Sequence, residues 1–177
     1  MHFSQGLTIF AKHTTKDDTT MKITKTEVNL EYLIQAALSL LYKNDKHLID
    51  IHANERSIVF RFGYYFQNLL SMHSEYKEYD LDLEYNRDGE VPKRTPNHKK
   101  GIYPDVILHK RGDNEDNLLV MEFKGHWNNQ GQEEDKSKIH DLMNSNGEYK
   151  YKKGYTILLK ENDFLVRPVY NSNISLL

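Results

Sequence analysis

Cysteine is missing from this chain altogether. Its absence removes a disulfide framework, thiolate nucleophiles and every zinc site built on sulfur. No apolar run approaches the length of a membrane span, and the N-terminus carries no apolar signal core. An excess of one charge is lacking too. Over 177 residues, 24 basic side chains face 26 acidic ones, a formal −2, so any nucleic-acid partner must be met by a local patch. Missing motifs narrow the field further. There is no P-loop, no paired-glycine dinucleotide fingerprint and no G-x-S-x-G elbow. The nine His residues are scattered, without an H-x-x-x-H pair or a His–Asn–His cluster. Hydrophobic residues supply 38%, yet 12 Tyr and 7 Phe promise aromatic packing. These quantities describe one compact cytoplasmic domain without a membrane partner.

Residues 1–20 hold no sustained period and end in a Thr/Asp/Lys cluster, the pattern of a poorly ordered leader; 21–177 form the single domain. From Glu27 to Tyr42, Leu30, Leu33, Ile34, Ala37, Leu38 and Leu41 recur at helical spacing. Asn54 is a plausible N-cap for a second helix, 55–73, whose stripe runs Glu55, Ile58/Val59, Phe62, Phe66 and Leu69. Residues 79–85 alternate as a strand, and 86–101, with Gly and two Pro, make a loop. Two further strands, 103–109 and 117–124, flank a polar hairpin. An exposed helix over 130–146 and two closing strands, 154–160 and 163–170, complete the order. The expected fold is mixed α/β (α+β): α-β-β-β-α-β-β behind an extra N-terminal helix, with a central mixed sheet flanked by helices on both sides.

Charges interrupt the two apolar strands at Asp105, Glu122 and Lys124. Side chains two apart on a strand share a face, so Glu122 and Lys124 project together while Leu119, Met121 and Phe123 face the other way. If the strands pair through the hairpin, Asp105 lies across from Glu122. Two carboxylates so close repel unless a cation sits between them, and a hard ion such as Mg²⁺ suits them. E-x-K alone says little, since Glu75–Lys77, Glu134–Lys136 and Glu148–Lys150 repeat it in polar segments. Only Glu122–Lys124 ends a buried strand, and Pro104-Asp105, the one Pro-Asp, opens another.

Pro104-Asp105, a hairpin, then Glu122-Phe123-Lys124 resembles the signature of the PD-(D/E)XK nuclease superfamily, the restriction-endonuclease-like fold, over roughly residues 50–160. The resemblance implies a Mg²⁺-dependent phosphodiesterase, with Mn²⁺ as substitute, acting on nucleic acid, most simply as a DNA endonuclease. Asp105 and Glu122 would bind the metal, helped by the Phe123 carbonyl, and Lys124 would orient the attacking water. Glu55 matches the glutamate that members add from the first core helix. An endonuclease cutting both strands also suggests a homodimer. Gly101-Ile102-Tyr103 does not compete, since no Tyr-Ile-Gly follows it.

Plainer readings stand beside these. Glu55 in a first helical turn favours the macrodipole. Asp105 after a proline also suits the cap of a turn, and Lys124 the snorkelling end of a strand. Asp82 and Glu84 read as solvated, and Asp50 and His52 as loop residues. Arg87, Lys93, Arg94, Lys99 and Lys100 give the 86–101 loop a local basic surplus; it either holds phosphates or is a solvated loop. Lys136, Lys138, Lys150, Lys152 and Lys153 are alternative contacts, and Trp127 stacks on a base or covers the core. The rival function is a nuclease-like scaffold that binds nucleic acid or protein without cutting.

Overall fold

The computed structural model describes residues 29–128 and 131–171; the expected leader lies outside them. Asn29 accepts a hydrogen bond from the Glu31 N–H (3.0 Å) and caps α1, Leu30–Asp50. All six apolar positions of its predicted stripe are buried. The helix outruns its apolar period, continuing to Asp50 through a break at Asp45 (φ −127°). The Asp45 carboxylate accepts from Arg61 Nε (2.9 Å) and the Tyr65 hydroxyl (2.6 Å), tying the break to the next helix. That helix, α2 (Glu55–Ser71), is capped by Asn54 and buries Ile58, Val59, Phe62 and Phe66.

The sheet holds five strands: β1 (Asp80–Leu83), β4 (Val106–His109), β5 (Leu119–Gly125), β6 (Lys153–Leu159) and β7 (Phe164–Val169), in the order β1-β4-β5-β6-β7. Pairing is antiparallel except between β5 and β6, which run parallel because α3 (Gln132–Met143) carries the chain across the sheet between them. Leu119, Met121 and Phe123 join the core built with α1 and α2, while Val120 joins Ile139, Leu142 and Met143 of α3 with Tyr149 and Tyr151. The central strand is thus apolar on both faces, and helices lie on both sides. Gly154 permits the close approach of α3: a Cβ there would stand 2.4 Å from Ile139 Cγ2 and 2.4 Å from Met143 Sδ.

Three local expectations change. The first strand stops at Leu83, because Glu84 turns into left-handed backbone (φ 50°) and sends its N–H to the Asp105 carbonyl (3.2 Å). The Pro104-Asp105 strand begins only at Val106, so Asp105 stands just ahead of it. The 86–101 loop carries its own two-residue ladder, β2 (Arg87–Asp88) against β3 (Val91–Pro92), around Gly89 (φ 57°). Asp141 of α3 fastens that loop, accepting from Thr95 Oγ1 (2.6 Å) and Asn97 Nδ2 (2.8 Å). Among the described residues no helix is long and apolar enough to cross a membrane.

Candidate active site

The antiparallel register of β4 and β5 pairs Val106 with Met121 and Ile107 with Val120. One further step sets Asp105 opposite Glu122 on the face that α3 covers. Asp105 holds its place through a backbone bond: its Oδ2 accepts from the Phe123 N–H at 2.7 Å. Glu122 is 2% exposed; its Oε2 accepts from Lys138 Nζ (3.2 Å), and its buried Oε1 has no hydrogen-bond partner. An unpaired buried carboxylate oxygen is costly, so a site that retains one requires a reason. The electrostatics agree. Burial pushes Asp105 up to about 6, against the opposing pull of the Phe123 N–H and Lys138. Burial and then the Asp105 charge push Glu122 well above the usual carboxylate range.

Lys124 projects from β5 on the Glu122 side. Its ammonium lies 3.1 Å from Asp135 Oδ2 and 3.8 Å from Glu55 Oε2. Glu55, at the start of α2, accepts with Oε1 from the Gly125 N–H (3.0 Å) and from Asn128 Nδ2 (3.3 Å), clasping the end of β5. Its charge reaches Asp105, where it adds to the upward push. Trp127 lies flat over Gly125, where a Cβ would meet its ring at 2.4 Å, and stacks on His52 (centroids 4.7 Å, planes 14° apart).

Helix α3 brings two residues that the sequence did not assign to the acid–acid–lysine set. Asp135 bridges the two lysines, 3.1 Å from Lys124 Nζ and 3.2 Å from Lys138 Nζ, and Lys138 also reaches Glu122. Burial alone would lower the Lys138 pKa, but the Glu122 and Asp135 carboxylates carry it above the usual lysine value. The Asp135–Lys138 spacing of three residues marks one helix face, yet only the crossover puts that face over Glu122. Together Glu122, Lys124, Asp135, Lys136, Thr156 and Arg167 line a cleft with Ile157 and Leu158 of β6.

Of the five basic loop residues, Arg87, Arg94, Lys99 and Lys100 are exposed. Lys93 is not available as a surface phosphate contact: it is 1% exposed, with Nζ 4.2 Å from the Tyr149 ring centroid. Burial brings its pKa down to about 8, and the ring face compensates part of the lost hydration. Asp82 is half-buried rather than solvated, bonded to His109 Nε2 (2.9 Å) and Arg111 Nε (2.8 Å). Glu84 pairs with Arg56 and Asp50 with Lys46.

Among the described residues no group of three or more His, Asp or Glu side chains converges as a metal cage. The residues that fit a divalent ion are therefore two carboxylates, Asp105 and Glu122. That is a donor set Mg²⁺ accepts, because it keeps several waters and shares substrate phosphates. The orphaned Glu122 Oε1 is the observation in favour of that fit.

No family model matches the chain, and no curated protein matches it. A solved structure described as "Crystal structure of SSO0001" is similar over 90% of this chain and 70% of its own, at 12% identity and a TM-score of 0.34. So distant a likeness bears no weight on function. What the coordinates define is the class: a mixed α/β domain with two N-terminal helices, a five-stranded mixed sheet and one helix packed against its second face.

Proposed function

We propose that the protein is a divalent-metal-dependent nuclease of the restriction-endonuclease-like type, hydrolysing phosphodiester bonds in DNA. The observation that carries this is the apposition of half-buried Asp105 with buried Glu122, which has an unpartnered oxygen, beside Lys124. Both carboxyls are pushed toward the neutral form, the expected cost of a site organised to hold a cation. A bound Mg²⁺ or Mn²⁺ would supply Lewis acidity toward a phosphoryl oxygen and a more acidic water.

The chain supplies the rest. Asp105 and Glu122 would hold the ion, with the Phe123 carbonyl next to Glu122 on β5 as a third oxygen. Lys124 donates to the attacking water and offsets charge on the phosphate. Asp135 and Glu55 fix the Lys124 ammonium between them, which keeps a flexible four-carbon side chain in one place.

A non-cutting scaffold is the second reading, and one observation favours it: Lys138 already neutralises part of the Glu122 charge without any metal. Plasmid cleavage separates the two. With Mg²⁺ or Mn²⁺ the wild type nicks or linearises DNA, and Lys124→Ala and Asp105→Ala each lose at least 100-fold in rate, the scale of a removed electrostatic or proton-transfer group. Metal-saturated, folded protein that cleaves neither DNA nor RNA sinks the nuclease reading. Equal cleavage by wild type and both variants puts the activity elsewhere.

A further inference from the structure

The register that brings Asp105 to Glu122 continues beyond it. Glu122 pairs with Thr156 on β6, and Thr156 with Arg167 on β7. Directly paired residues share a face, so Glu122, Thr156 and Arg167 form one row across the α3-covered side of the sheet. All three line the same cleft, and Lys136 closes it from α3.

The row changes chemistry along its length. At the β4–β5 end it is acidic and buried; at the β7 end it is basic and open. Arg167 is exposed and, among the described residues, has no carboxylate partner, unlike Arg56, Arg61 and Arg111, which are all paired. Among the described residues Lys136 pairs only with the solvent-exposed Glu133 of its own helix (2.9 Å), an interaction that water and salt largely screen. Lys124 and Lys138, by contrast, are consumed by buried carboxylates. The cleft therefore holds two cations with charge to spare, Arg167 on β7 and Lys136 on α3.

Resting on the nuclease reading above, we propose that Arg167 and Lys136 form a phosphate seat for the backbone of the bound strand, flanking the scissile position. The substrate then runs from Glu122 over Thr156 toward β7, rather than over the 86–101 loop. Two inter-strand steps separate Glu122 from Arg167, roughly 10 Å. A strand rising about 3.4 Å per nucleotide crosses that span in about three nucleotides. A planar guanidinium suits a phosphate with two parallel hydrogen bonds, and the Thr156 hydroxyl is positioned to add a donor between seat and metal site. The 86–101 loop is the weaker candidate. Its Lys93 points inward, and Asp141 ties its Thr95–His98 segment to the C-terminal half of α3, away from Asp135.

The test measures binding and turnover on the full chain. A fluorescein-labelled oligonucleotide, single-stranded or duplex, is titrated by anisotropy in Ca²⁺ at several salt concentrations, and cleavage is followed in Mg²⁺. Arg167→Ala should raise both Kd and KM about tenfold and lower the salt slope of log K by about 0.7–0.9, the mark of one lost phosphate contact. Arg167→Lys should recover much of the affinity, and Lys136→Ala should act in the same direction. The melting temperature of each variant reports folding separately. Wild-type affinity and slope in both alanine variants overturns the seat. So does a larger loss of slope from Arg87→Ala/Arg94→Ala than from Arg167→Ala. In either case cleavage that still depends on Lys124 leaves the nuclease reading standing; a wild type that neither binds nor cuts any nucleic acid removes both.

Discussion

Replacing Asp105 by asparagine should stabilise the metal-free protein at alkaline pH, against the usual expectation for a change at a buried hydrogen bond. Asn keeps an oxygen for the Phe123 N–H, so the 2.7 Å backbone bond survives while the charge goes. The size follows from the raised pKa. Burial pushes the folded carboxyl up to about 6 from its ordinary value of 3.8. Above both values the ionised side chain costs the fold about 3 kcal/mol, at 1.36 kcal/mol per unit. Between the two values the native state holds more protons than the unfolded chain, so wild-type stability falls as pH rises from about 4 to 6. The advantage of Asp105→Asn is therefore about 3 kcal/mol at pH 8, about half that at pH 5, and nil near pH 3. For a domain of this length it corresponds to a rise of roughly 6–12 °C in Tm at pH 8. Urea and thermal unfolding in EDTA across that range measure it. Millimolar Mg²⁺ or Mn²⁺ should close most of that gap, since an ion at 100 times its Kd adds about 2.7 kcal/mol to the wild type alone. A pH-independent gap, or an Asp105→Asn protein less stable than wild type at pH 8 without metal, refutes the electrostatic account of the pair.

Two further changes test the packing and electrostatics that position the site. Gly154→Ala drives a methyl into Ile139 and Met143, both at 2.4 Å, and should cost about 1–3 kcal/mol in urea unfolding; a melt matching wild type would mean that α3 shifts freely over β6. Lys93→Met should be stabilising at pH 7, because burial holds the ammonium at about 8. The unfolded chain binds the extra proton between about 8 and 10.5, so wild-type stability rises through that window. The cost of the charge at pH 7, about 3 kcal/mol, is offset by about 1–2 kcal/mol from the Tyr149 ring, leaving a net gain near 1–2 kcal/mol that closes by about pH 10.5. Pulse proteolysis at pH 7 and 10.5 checks both the sign and the closure.

Much of the frame can be read from local patterns. The α1 and α2 stripes, their asparagine caps and the two-faced apolarity of β5 follow from period and cap chemistry, which act over a few residues. The apposition of Asp105 and Glu122 is nearly as legible, because a hairpin with a fixed register relates the two strands. What local pattern misses arrives through non-local contacts. Lys93 looks like its basic neighbours until Tyr149 and Tyr151, more than fifty residues later, supply a place for it inside. Asp135 and Lys138 read as an ordinary exposed i,i+3 pair until the parallel β5–β6 crossover lays α3 over Glu122.

That crossover also gives the site its division of labour. Every charged group on the β5 face meets a partner of opposite sign from another element: Glu122 meets Lys138, and Lys124 meets Asp135 of α3 and Glu55 of α2. An unmatched buried oxygen has a cost, one that Asn117 Oδ1 and the Tyr151 hydroxyl also bear elsewhere in the fold. This network closes around Lys124 and stays open at Glu122 Oε1, on the carboxylate that the Asp105 charge repels. The gap falls where two carboxyls repel and nowhere else in the cluster. On the proposed function a bound cation would account for both the gap and the repulsion, whereas imperfect packing would account only for the gap.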